Sequence, residues 1–188
     1  IDRSGSMGEP IEPTNAKLQA AKDAATFYVD VTRTGDGLAV VPYHHDVAPS
    51  PFAMVPVNAT ERTNARNYIN DWSEPNGIYP AGATSIGDGL YEARNQRVSS
   101  PTTNPLCSFV LLSDGMENSE RKWNTPGDPV KTYVQATGCP VTAIAFGPAS
   151  NETLMQTIAT DTGGVSYYND VYVSNSTMSS EIQAPPAA

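Results

Sequence analysis

Five residues with oxygen-bearing side chains, Asp2, Ser4, Ser6, Thr84 and Asp114, have the types and positions to do chemistry together. In Asp2-Arg3-Ser4-Gly5-Ser6 the three oxygen carriers alternate. Alternate residues of an extended segment point the same way, so all three can aim at one point, and Gly5 lets the chain turn tightly around it. Thr84 stands in Ala81-Gly82-Ala83-Thr84-Ser85, and Asp114-Gly115 directly follows the apolar run 107–113. Two carboxylates and three hydroxyls make a hard, all-oxygen set without thiolate or imidazole. Such a set suits Mg²⁺ foremost, with Mn²⁺ or Ca²⁺ as alternatives, and suits zinc poorly. The hydroxyls are neutral and leave the ion under-neutralised, so coordination places remain for water or an incoming anion such as an Asp or Glu side chain of another protein. Taken singly, each of the five is an ordinary cap or turn former. Their joint occurrence carries the metal reading.

The elements that must position these residues alternate between helix and strand. Leu18, Ala21, Ala25 and Tyr28 fall on one helical stripe, predicting a helix from near Thr14 to before Gly35. A buried strand follows at 37–43, then a turn at His44-His45-Asp46 and a hairpin partner at 52–57, which prolines 49, 51 and 56 assign to a sheet edge. Ala65, Tyr68, Ile69 and Trp72 mark a helix beginning after Thr60. Ile86, Leu90 and Ala93 mark another after Thr84-Ser85. The runs 107–113 and 139–146 read as buried strands, with a helix from Asp128-Pro129 to Gly138 between them. Leu154 and Ile158 carry a further helix ended by Gly163-Gly164. A strand at 165–168 and a helix over 176–182 complete the series. Strands separated by helices imply right-handed crossovers and a mostly parallel sheet covered on both faces, with ligands bound beyond the carboxyl ends of the strands. The three oxygen-bearing segments fall at that end.

The segments DRSGSM, GATSIGDGL and LLSDGMEN resemble the three motifs of von Willebrand factor A-type (VWA) domains. Together they match that family's metal-ion-dependent adhesion site (MIDAS) pattern of Asp-x-Ser-x-Ser, then Thr, then Asp. The resemblance covers nearly the whole chain. It implies metal ligands at Asp2, Ser4, Ser6, Thr84 and Asp114. It also implies an α/β, Rossmann-like doubly wound sheet of six mostly parallel strands, in order 3-2-1-4-5-6, with one antiparallel edge strand and helices on both faces. Residues 1–183 would form the domain and 184–188 the start of a linker. Ile1-Asp2 reads as the last step of a first strand truncated at its N-terminus, and the chain as a piece of something longer. If the strands bearing Cys107 and Cys139 are parallel neighbours, as the resemblance implies, their spacing suits a disulfide and an oxidising compartment; two buried free thiols are the alternative.

The formal charge of −9 opposes binding to nucleic acid or to an anionic membrane face, and no apolar run approaches bilayer length. The sequons at Asn58, Asn151 and Asn175 read as ordinary polar loop sequence or as glycosylation sites. His44-His45-Asp46 reads as a solvated turn on the edge away from the three motif loops. Tyr79, Glu117, Asn118 and Trp123 are expected around the metal face, serving either partner choice or local packing. Enzymatic readings lack their residues. A phosphoryl-transfer enzyme of the haloacid dehalogenase type wants a second carboxylate two positions after Asp2, where Ser4 stands. Gly5-Ser6-Met7-Gly8 is not the G-x-S-x-G elbow of a serine hydrolase. The resemblance therefore implies a non-enzymatic adhesion or assembly module of a secreted or cell-surface protein, with further domains in the same chain and a protein partner that presents a carboxylate. A structural domain inside a pilus or a multidomain surface enzyme is the alternative.

Overall fold

The structure is a computed structural model, and it describes residues 1–12, 15–47, 51–74, 76–100, 105–119, 121–148 and 150–169. The sequon at Asn175, the predicted helix 176–182 and the linker 184–188 lie outside the described residues. Two short strands, β1 (Pro10–Glu12) and β2 (Asn15–Ala16), pair antiparallel ahead of helix α1 (Lys17–Val31). This hairpin holds the start of α1 back from the predicted position near Thr14. The buried stripe of α1 runs through Leu18, Ala21, Ala25 and Val29, so Val29 takes the inner place expected of Tyr28, which is half-exposed.

Strand β3 (Gly37–Val40) pairs antiparallel with β4 (Phe52–Pro56), as a proline-marked edge strand should. Helix α2 (Ala59–Asn70) is capped by Asn58, whose side-chain oxygen accepts from the Glu61 amide at 2.9 Å, and buries Ala65 and Ile69. Trp72 lies beyond that helix and is exposed on one side, with the Lys22 ammonium 3.7 Å from its ring centre. Helix α3 (Ile86–Val98) follows its N-cap Ser85. Strands β5 (Phe109–Ser113), β6 (Val141–Phe146) and β7 (Ser166–Asn169) form a parallel sheet in register Leu111↔Ala143 and Ala143↔Ser166. Helices α4 (Val130–Gln135) and α5 (Glu152–Asp161) are the crossovers between them.

The fold is α/β: beside the small β1–β2 hairpin, its main layers are the three-stranded parallel sheet β5-β6-β7 and the two-stranded antiparallel sheet β3-β4. Residues 1–3 run between the two. Asp2 N–H donates to Leu112 O and Arg3 N–H to Tyr43 O, both at 2.8 Å, and Asp2 pairs with Tyr43 in a parallel bridge. The expected single six-stranded sheet is not present among the described residues, where the segment at 1–3 joins the two sheets only by these hydrogen bonds and one bridge. Side chains alternate between the two faces. Leu112 and Phe146 join Leu18, Ala21, Val29, Ala65 and Ile69 on the α1–α2 side. Leu111, Ala143 and Ala145 join Ile86, Leu90, Val134, Met155 and Ile158 on the side of α3, α4 and α5.

Cys107 and Cys139 are joined in a disulfide, with Cα atoms 5.0 Å apart, just ahead of β5 and β6. The bond closes a loop of 32 residues in sequence separation. In the chain-entropy account such a loop is worth roughly 3–4 kcal/mol. The Cys107→Ser/Cys139→Ser double variant should therefore lose about 2–4 kcal/mol, read from urea unfolding. An unchanged midpoint would mean that the cross-link adds nothing to the β5–β6 pairing.

Candidate metal centre

The three motif segments meet at the carboxyl ends of the strands. Asp2 leaves the sheet between β5 and the segment following β3. Its Oδ1 accepts from the Ser4 amide at 2.8 Å, and its Oδ2 accepts from the Ser113 hydroxyl at 2.5 Å. The Ser113 hydroxyl in turn accepts from the Gly115 amide at 2.9 Å, tying the third motif to the first. Ser4 and Ser6 hydroxyls lie 3.1 Å apart. The second motif touches the first through Gly5 N–H to Gly82 O (3.0 Å) and Ala81 N–H to Arg3 O (2.8 Å). It touches the third through Asn118, whose amide donates to Thr84 O at 3.1 Å while its Oδ1 accepts from the Thr84 amide at 2.8 Å. The turn at Gly115 has φ +71, and a Cβ there would sit 3.0 Å from Asn151 O, so both backbone and space call for glycine.

Asp2, Ser4, Thr84 and Asp114 are buried and Ser6 is half-buried. Burial pushes the Asp2 carboxyl up to about 6; the hydrogen bonds from Ser113 and Ser4 pull it back, and the neighbouring Asp114 adds repulsion. Asp114 Oδ1 accepts from the Met116 amide at 3.3 Å, and its Oδ2 accepts from the Lys17 ammonium at 3.2 Å. Lys17 also reaches Glu9 at 3.0 Å. Burial alone would lower the lysine, but Glu9 and Asp114 outweigh it and hold its proton more tightly than usual. Thr84 Oγ1 is buried with no hydrogen-bond partner among the described residues. An orphaned hydroxyl of this kind costs about 1–3 kcal/mol, and a cation on its oxygen would remove that cost. The donor set thus fits a hard divalent ion. Among the described residues no three or more His, Cys, Asp or Glu side chains are grouped so as to hold a metal; the set here has two carboxylates and three hydroxyls.

Several neighbours differ from expectation. His44 and His45, stacked at 4.0 Å, lie beside the second motif rather than away from it: His44 O accepts from the Ser85 amide at 2.6 Å, and a Cβ on Gly82 would fall 2.7 Å from His45 Nδ1. The cause is the parallel pairing of Asp2 with Tyr43, which makes both chains leave the sheet at one end. Burial and then Arg3 lower the His44 imidazole to about 4, so it is neutral at physiological pH. Trp123 is wholly buried in the core and donates to Asp161 at 2.9 Å, and Glu117 accepts from the Gly87 and Trp123 amides. Both are packing residues. Tyr79 carries the Arg3 guanidinium 5.0 Å from its ring centre. Two sequon asparagines, Asn58 and Asn151, cap α2 and α5 with their side-chain oxygens.

The sequence matches the family model of the von Willebrand factor type A domain over residues 1–184. The chain belongs to the VWA family. One relative by sequence is the inter-alpha-trypsin inhibitor heavy chain H2 of Mesocricetus auratus, 31% identical over 122 residues, which are 61% of this chain and 11% of that protein. Among solved structures, a von Willebrand factor type A protein from Catenulispora acidiphila superposes with TM-score 0.70 at 21% identity, covering 97% of this chain and 39% of that one. Proximal thread matrix protein 1 from the mussel byssus, solved with a zinc-occupied MIDAS motif, gives TM-score 0.66 at 23% identity, covering 97% of this chain and 44% of that one. These structural likenesses establish the VWA fold. The chain spans about a tenth of the sequence relative and less than half of each solved structure. VWA domains are typically protein-binding or adhesion modules.

The Asp2 carboxyl binds its proton more tightly in the folded VWA domain (about 6) than in the unfolded chain (3.8). Its stabilising contribution is therefore complete below pH 4 and is lost as the pH rises through 6. With chelator present, denaturant unfolding at pH 4 and pH 6 should show a larger decline for the native sequence than for Asp2→Asn. Equal pH slopes would contradict the assignment.

Proposed function

We propose that this VWA domain is a non-enzymatic, metal-dependent protein-binding module, which holds one divalent cation through Asp2, Ser4, Ser6, Thr84 and Asp114. The buried Thr84 hydroxyl, without a hydrogen-bond partner among the described residues, is the observation that carries the reading, because none of those residues repays its burial. Mg²⁺ is the ion best suited to the oxygen set, with Mn²⁺ or Ca²⁺ as alternatives. The bound ion would supply a Lewis-acidic coordination place for an Asp or Glu side chain of the partner. The protein's own part is positioning. Ser113 and the Ser4 amide fix the Asp2 carboxylate, Asn118 fixes the Thr84 backbone, and Ser4 and Ser6 stay within hydrogen-bonding reach of each other. In a fuller sheet, the segment at residues 1–3 would be strand 1 of the order 3-2-1-4-5-6, between β3 and β5. The disulfide supports an extracellular or cell-surface setting, in which the domain serves adhesion or assembly beside other domains of a longer chain.

Calorimetric titration of Mg²⁺ or Mn²⁺ tests this directly. Loss of even an outer-shell partner costs roughly 10–100-fold in metal affinity, so Asp114→Ala should lose at least that much. Equal heats for variant and native protein would sink the reading. Thr84→Val adds a second contrast: it should weaken metal binding while leaving the metal-free fold as stable as before or more so, since it deletes an unsatisfied hydroxyl.

A further inference from the structure

Lys17 opens α1 as one of four lysines in the chain, and its ammonium is placed against Asp114, a proposed ligand. The lysine side chain is 6% exposed and Asp114 is fully buried, so this contact is made away from solvent. The second partner, Glu9, is 66% exposed and faces water. Space for the lysine stem is built into the sheet. Gly147, just past the end of β6, has φ +89, and a Cβ there would lie 2.8 Å from Lys17 Cε. A side chain at that position would press on the lysine stem and oblige it to shift.

We propose that Lys17 is a tethered counter-ion that competes with the divalent cation for Asp114, and so sets the cation concentration at which the site fills. The inference rests on the metal reading of the site. A single positive charge already occupies one oxygen of a carboxylate that the metal needs, and it would repel a second cation at short range in a shielded setting. The lysine also has somewhere to go. Its ammonium already donates to Glu9 Oε2 at 3.0 Å on the water-facing side, so its flexible four-carbon stem lets it leave Asp114 while keeping an acidic partner. A lysine that merely propped Asp114 in place would have the opposite effect, because its removal would loosen the site.

Calorimetric Mn²⁺ titration of the native domain, Lys17→Met and Lys17→Gln distinguishes these. Both variants should bind Mn²⁺ about tenfold more tightly or better, equivalent to about 1.4 kcal/mol. Glu9→Gln, which removes the alternative partner, should bind it more weakly. If the native domain binds Mn²⁺ and the lysine variants bind it equally or less tightly, the counter-ion role is wrong and the metal reading stands. If neither the native domain nor the variants bind, both fail. Should the variants not fold, ¹⁵N NMR of the Lys17 ammonium in the native domain gives the same decision. Mg²⁺ saturation should shift its signal towards that of a solvated lysine, and an unmoved signal would overturn the proposal.

Discussion

Two carboxylates, Asp2 and Asp114, are shielded from water at one end of the sheet, and each must be stabilised in some other way. Burying an ionised carboxylate without a partner costs several kcal/mol, so the surrounding structure is organised around supplying partners. Asp2 receives a backbone amide and a serine hydroxyl, and burial still holds its pKa near 6. Asp114 receives an amide and the single ammonium of Lys17. Among the described residues no comparable group meets Thr84 Oγ1. A divalent ion would answer these needs at once, by neutralising the acids and engaging the hydroxyl.

The sheet brings such distant residues together because it places the exits of its strands at a common edge. Asp2 and Asp114 follow neighbouring chains, joined by the hydrogen bond from Asp2 N–H to Leu112 O. Thr84 comes to the same edge at the start of α3, held by backbone bonds from the Asn118 and Ser119 amides. The disulfide pins the opposite, amino end of β5 and β6, so the cross-link and the site restrain the two ends of one strand pair. That arrangement leaves the motif loops to be positioned by hydrogen bonds rather than by covalent closure.

Much of this was legible in the sequence. Runs such as 107–113 and 139–146 are short and apolar on both faces, which fits a strand covered on both sides, and the turn and cap residues bound the helices to within a few positions. The five oxygen carriers stood out because each followed or preceded such an element. Lys17 and Ser113 did not. Lys17 is a polar residue beginning an apolar stripe, and nothing local says that its ammonium is buried against an acid 97 positions away. Ser113 looked like the last residue of a strand, and its bond to Asp2 depends on two chains meeting across 111 positions. His44-His45 was misplaced for a similar reason. A turn looks solvated in sequence, whereas the edge on which it lies is decided by the parallel pairing of Tyr43 with Asp2.

The central claim concerns where a cation sits. The most direct measurement is an anomalous-difference map from crystals of the domain grown with Mn²⁺. The account predicts one strong peak among the side chains of Asp2, Ser4, Ser6, Thr84 and Asp114. A map with no peak there, or with its only peak at another place on the surface, would contradict it.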